Sequence, residues 1–214
     1  MLRRPKAFVK IIAIRYYVVM TIHHSRPQLL ADLLIHLARR AAAPVTASKL
    51  TAAQWSALRY FAHASDSSCT PSAFAEFHGT TRGTASQTVK SLVSEGLLSR
   101  TTNPEDKRSV AFRITSSGQR VLTADPAAKL MNAIAHLSDS RQKQLQQDVQ
   151  QLILALGSEA PMPEGIAFGS CEGCVHFQQS CATESVGTCS ASNMPLKLGD
   201  EYRICCQYQT GTDP

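Results

Sequence analysis

The stretch "TTRGTASQTVKSLVSEGLLSRTTNPEDKRSVAFRIT", residues 80–115, changes its period from helical to alternating within a single run. In its first part Thr81 stands where a helix cap belongs, Val89, Leu92 and Val93 follow at helical spacing, and Gly96 can end the helix. In its second part the β-rich segments "LLSRTT" (97–102) and "SVAFRIT" (109–115) flank the polar turn "NPEDKR". That pattern predicts a hairpin with a long, charged tip.

Upstream, "TPSAFAEFHG" (70–79) predicts a short helix capped by Thr70, with Pro71 in its first turn and Gly79 at its end. "LTAAQWSALRYFAHA" (50–64) opens on Thr51 as a cap and sends Leu50, Trp55, Leu58 and Phe61 toward a core. Trp55, Phe61, Phe74 and Phe77 are expected in that core rather than stacked on a ligand. Further upstream, "PQLLADLLIHLARRAAA" (27–43) repeats leucines at 29, 30, 33, 34 and 37, an amphipathic helix. Downstream, helical pattern resumes after "SSGQ" (116–119), with a start or kink at Pro126. "SDSRQKQLQQDVQQLILAL" (138–156) is capped by Ser138 or Ser140 and carries an apolar stripe of Leu145, Val149, Leu152, Ile153 and Leu156 up to Gly157.

Three helices followed by a hairpin with a basic tip form a winged helix-turn-helix. A helix that enters the major groove needs small, hydrogen-bonding side chains at its start, so that backbone and side chains approach phosphates and base edges. Thr80, Thr81, Arg82, Thr84, Ser86, Gln87 and Lys90 supply them, with Ser72 and Arg100 on the neighbouring elements. The wing needs a braced turn that holds a cation over the minor groove; Asp106 is the expected brace and Lys107 and Arg108 the expected cations. The net charge of +6 on 214 residues and a pI near 9.0 agree with a polyanionic partner.

These residues carry a family resemblance. "DKRSVAFRIT" (106–115) resembles the wing signature of the MarR family: an Asp, an Arg two residues on, and after five more residues a Leu-Thr, here Ile114 and Thr115. "LTAAQWSALRYFA", the helix at 80–100 and "SSGQRVL" match further family segments in order. The resemblance spans roughly residues 28–157. It implies a homodimer packed through the first and last two helices, with two wings gripping a pseudo-palindromic operator in double-stranded DNA, and a transcriptional regulator, read as a repressor, rather than an enzyme. No Ser/His/Asp arrangement or carboxylate pair offers a basis for hydrolysis.

Six of the seven cysteines lie after residue 170, Cys69 being the exception. Cys171 and Cys174 form a C-x2-C chelate with Gly173 permitting the turn. Cys205 and Cys206 point in different directions in an extended chain, so one of them at most joins a given centre. With Cys181 and Cys206 kept as alternative ligands, Cys171, Cys174, Cys189 and Cys205 remain. Their spacing is similar to the ligand framework of high-potential iron–sulfur proteins, which implies a 4Fe–4S cluster. A four-thiolate zinc site uses the same residues, as does a thiol switch working through disulfides. Phe177, Leu196, Leu198 and Ile204 are expected to exclude water from a cluster. A regulator sensing redox state, oxygen or iron is the leading expectation; a MarR-like regulator with structural zinc and a small-molecule effector is the second, and an electron-transfer protein the third.

The expected fold is therefore mainly α with a small β-hairpin wing: a winged helix-turn-helix inside a helical dimerisation domain, followed by an irregular Cys-rich C-terminal segment. The expected boundaries are a basic extension at 1–27, the MarR-like region at 28–157, a linker at 158–170 and the Cys-rich segment at 171–214. In "MLRRPKAFVKIIAIRYYVVM", Lys10 and Arg15 interrupt the apolar run, which argues against a membrane helix or signal and for a cytoplasmic protein; residues 1–19 read as an over-called start before Met20. A tail attached directly after "QQLILAL" is placed to alter the separation of the two recognition helices.

Overall fold

The computed structural model describes residues 25–42, 49–102, 110–157, 168–180 and 185–209. The chain divides into two units, one ending at Ala42 and one beginning at Ala43. Within the first, α1 (Arg26–Ala41) starts at Ser25, whose side chain accepts from the Gln28 amide, and carries Arg39 and Arg40 in its last turn. Leu29, Leu30, Leu33, Leu34, Ile35 and Leu37 are all exposed along it.

The second unit is built on local caps that the chain spells out. The helix α2 (Ala52–His63) is held by a capping box between Thr51 and Gln54. Thr70 caps α3 (Pro71–Phe77) and Thr81 caps α4 (Arg82–Ser94). The helix α4 turns Ala85, Val89 and Leu92 inward, one side chain per turn, against Trp55, Leu58, Tyr60, Phe61 and Phe74. Burying side chains of this size stabilises the fold by about 1.5–3 kcal/mol each. Strands β1 (Leu98–Thr102) and β2 (Val110–Ile114) pair antiparallel with Arg100 opposite Phe112. This is the hairpin of a wing, so the domain is a winged helix.

The hairpin leads into α5 (Ser116–Leu122), α6 (Ala128–Ala135) and α7 (Asp139–Gly157). "SSGQ" forms the first turn of α5, capped by Thr115, instead of preceding the helix. The break expected at Pro126 lies between α5 and α6, where buried Asp125 accepts from the Ala127 amide at 2.7 Å and from Arg59 Nη1 at 2.8 Å. Phe77, expected in the core, is 39 % exposed; its ring packs on Tyr60, His78 and Phe168.

The tail contains a three-stranded antiparallel sheet of three-residue strands, β3 (Phe177–Gln179), β4 (Gly187–Cys189) and β5 (Met194–Leu196). It is seated on the winged helix. The Ile204 amide donates to His63 O at 2.8 Å, and the Ser65 amide donates to Ile204 O at 2.8 Å. Ile204 and Cys206 pack against the winged-helix core. Among the described residues no helix is long and apolar enough to cross a membrane.

Two positions test this packing. A Cβ at Gly118 would stand 2.4 Å from Leu97 O and 2.7 Å from Ile114 Cγ1, so Gly118→Ala must push α5 off the hairpin. The expected loss is about 1–3 kcal/mol, read as a lower denaturant midpoint at unchanged slope. Asp125→Ala removes the partner of half-buried Arg59 and a helix-start acceptor together. A loss of about 2 kcal/mol is expected, and Asp125→Asn, which keeps an acceptor, should recover part of it on the same measurement.

Candidate functional site

Turning the Ala85–Val89–Leu92 stripe inward leaves the opposite side of α4 to solvent. Thr81, Arg82, Thr84, Gln87 and Lys90 are exposed there, and Thr80 and Ser86 are partly covered at its edge. Capping uses part of this polar set: the Thr84 amide donates to Thr81 Oγ1 at 3.1 Å, and the two hydroxyls lie 2.9 Å apart. Gln87 and Lys90 reach out from the middle of the helix. Arg82 sits 3.9 Å from Glu76 but keeps its side chain 81 % exposed, so the pair is loose. Ser72, at the start of α3, and Arg100, on β1, are exposed as well. The expected wing-tip residues Asp106, Lys107 and Arg108 lie outside the described residues.

The second candidate centre is in the tail. Gly173, at φ +82, makes the turn between Cys171 and Cys174, and the Cys174 amide donates to Cys171 O at 3.0 Å. Register then brings in the rest. Cys189 on β4 pairs with Phe177, whose own amide donates to Cys174 O, and Cys205 bridges Gly169 just before Cys171. The Cys171 thiol is pushed up to about 11, by burial first and then by the Cys205, Cys189 and Cys174 thiols around it. The four expected ligands thus share one neighbourhood.

Neighbouring hydroxyls and amides favour the thiolate at two of them. Burial works against ionisation of Cys189, but the Ser192 hydroxyl and the Ser192 and Ala191 amides outweigh it and hold the thiol below its ordinary value. At Cys205 burial wins and the thiol is raised, against donation from the Gln207 amide and the Ser65 and Ser67 hydroxyls. Among the described residues no three His, Cys, Asp or Glu side chains stand grouped as a bound metal ion requires. The thiols are soft donors by chemistry, but their described arrangement does not form a metal centre. The described cysteines are all free thiols.

The other tail expectations fare differently. Cys206 is carried to the winged helix: its amide donates to Ser68 Oγ at 2.8 Å and its sulfur lies 3.8 Å from Ser67 O. Cys181 lies outside the described residues. Of the expected shielding residues, Phe177 and Leu196 are partly buried, and Ile204 packs on the winged-helix core. Leu198 is 86 % exposed and excludes no water; it sits in the turn after β5, where nothing packs on it. The residue that closes the site is Tyr208, unremarkable in the sequence because nothing local marks it. Tyr208 is buried, its ring covers Gly169 so closely that a Cβ there would meet it at 2.7 Å, and burial, then the Cys174 thiol, raises its pKa. Two further contacts tie the cysteine turn to α7: Glu172 with Lys143 at 3.0 Å and Ser170 with Gln146 at 3.4 Å.

Comparisons with known proteins bear on the winged helix. No curated protein matches the sequence at a significant level. Among solved structures, the MepR–DNA complex of S. aureus is similar at 17 % identity over 62 % of this chain and 99 % of that one, with a TM-score of 0.47. CouR from Rhodococcus jostii RHA1, bound to p-coumaroyl-CoA, is similar at 19 % identity over 58 % and 88 %, with a TM-score of 0.46. A MarR family protein from Bacillus stearothermophilus is similar at 19 % identity over 61 % and 91 %, also with a TM-score of 0.46. In the chain itself, residues 48–109, which hold α2, α3, α4 and β1, match the profile of the MarR family.

Proposed function

We propose that this chain is a dimeric, sequence-specific reader of double-stranded DNA that represses transcription, and that its tail carries a 4Fe–4S cluster on Cys171, Cys174, Cys189 and Cys205 through which it senses redox state, oxygen or iron. The observation that carries the first half is the outward face of α4, where Thr84, Gln87 and Lys90 stand exposed beside a hairpin wing. A major groove accepts such a helix, the glutamine amide suits an adenine edge, and the lysine suits a phosphate. The match to the MarR family and the DNA in the MepR complex support this reading. The apolar rows left exposed on α1 and along α7, at Leu145, Val149, Leu152, Ile153 and Leu156, support a homodimer. A two-fold reader of this kind takes a pseudo-palindromic operator.

The second half rests on the four thiols that share one neighbourhood, the amides and hydroxyls that favour thiolate at Cys189 and Cys205, and the Tyr208 ring over Gly169, just before the C-x2-C turn. When bound, an iron–sulfur cluster supplies an electron-accepting or labile centre. The chain's own residues hold it, donate hydrogen bonds to its thiolates and keep water from one side.

Both halves have direct tests. In fluorescence anisotropy on operator DNA, Lys90→Ala should lower the salt slope by about 1, and Gln87→Ala should weaken binding by about 1–3 kcal/mol while relaxing preference at one base pair. A lack of salt-dependent binding by the wild-type chain would sink the regulator reading and revive electron transfer. For the tail, protein purified without oxygen should show a broad visible charge-transfer band with matched iron and sulfide. A colourless protein with stoichiometric zinc would replace the sensor by a structural staple, and a metal-free protein that forms disulfides on oxidation would replace it by a thiol switch.

A further inference from the structure

Where α3, α7 and the tail meet there is an open groove of about 230 Å³, and six of the eight residues that line it come from the tail. Its floor is apolar. Phe168 meets Phe77 edge to face, with ring centroids 5.1 Å apart, and Ile204 completes the surface. Phe77 is 39 % exposed, and Tyr202, also in the lining, is 70 % exposed. Aromatic surface left to water in a hollow is the kind that a ligand covers. Residues 48–109, the part matched to the MarR profile, supply only Phe77 of this lining, so the groove is made by the tail.

The backbone of the floor is already satisfied. The Ile204 amide donates to His63 O, Ile204 O accepts from the Ser65 amide, and Gly169 exchanges both of its backbone groups with Cys205. What remains to meet a ligand is side chain, and it is rich in donors. The Gln146 amide gives one of its two N–H groups to Ser170 Oγ at 3.4 Å, which leaves the serine its own proton to donate. Arg203 bonds Asp200 Oδ1 through Nε at 2.9 Å and Ala64 O through Nη1 at 3.4 Å, two of its five N–H groups. The polar group that suits this lining is therefore an acceptor. An uncharged acceptor suits it better than a carboxylate, because Asp200 already answers the guanidinium and a second anion would stand beside the first. Size narrows the class further: a void of about 150 Å³ accepts benzene, so this groove takes one ring with a short substituent.

We propose that the groove binds a single-ring aromatic molecule bearing an uncharged carbonyl, such as an aromatic amide, ketone or aldehyde, its ring on Phe77, Phe168 and Tyr202 and its oxygen toward Gln146, Ser170 and Arg203. None of the tail cysteines lines the groove, and neither does the outward face of α4. The site thus stands whatever the cysteines hold and whether or not the chain reads DNA.

The test uses benzamide and the full chain, with calorimetry for affinity and amide chemical shifts for location. Benzamide should bind saturably with a dissociation constant between about 10 μM and 1 mM and shift the Ser170 and Ile204 amides. Benzoate, of the same shape, should bind about tenfold more weakly or worse. Cyclohexanecarboxamide, which keeps the amide and lacks the flat ring, should lose about 3- to 10-fold. Tyr202→Ala, at an exposed position, should melt as the wild type does and bind benzamide about threefold more weakly or worse. Gln146→Trp, which fills the groove from α7, should abolish binding. The site is overturned if benzamide shows no saturable binding up to about 10 mM, or if both variants bind it as the wild type does. Benzoate binding as tightly as benzamide overturns the uncharged class. Should Gln146→Trp fail to fold, Tyr202→Ala and the Ser170 and Ile204 shifts decide the matter: unchanged affinity with silent amides overturns the site.

Discussion

The stripe of Ala85, Val89 and Leu92 on α4 can leave water only by facing Trp55, Leu58 and Tyr60, and everything the molecule presents outward follows from that rotation. Side chains at intervals of three or four share a helical face, so fixing one face fixes the other. Thr84, Gln87 and Lys90 are thereby aimed away from the core, with Thr84 also tied to the Thr81 cap. A rigid apolar seam is a good mount for a surface that must meet a partner in one orientation. The hairpin depends on the same seam, since Leu97 and Leu98 enter the core and carry β1 with them.

The tail obeys a different constraint. Strands of three residues bury too little to be stable alone, and among the described residues the cysteine segment contributes one well-buried large side chain, Tyr208. It borrows the winged-helix core through Ile204 and Cys206 instead. Borrowing has a structural result: the elements that stabilise the tail are the ones that touch the winged helix, so the folding of one is not independent of the setting of the other.

The helices of the winged helix were legible because their signals are local. Thr51, Thr70 and Thr81 each bond an amide three residues on, and such caps leave their mark within one turn of sequence. The hairpin was legible from alternation and its polar turn. The chelate and the two distant cysteines could be listed from spacing alone, but their meeting depends on β3–β4 register and on the Gly169–Cys205 bridge, which no short window contains. The docking of Cys206 on Ser68 spans 138 residues. Tyr208 escaped notice for the same reason, since it acts on partners far away in the chain. Leu198 was misjudged because hydropathy says what a side chain prefers and not whether anything is near it.

The separation of thiols has a consequence for chemical damage. Cys69 lies buried at the foot of the wing, its pKa raised by burial against the pull of Arg113. A thiol kept protonated and out of reach reacts slowly with peroxides and electrophiles. The described tail cysteines are only partly covered, and Cys189 is held on the reactive side of its ordinary value. An oxidant arriving from solvent is thus consumed at the periphery first, and the winged-helix core keeps the Cys69 thiol chemically silent while its appendage is modified.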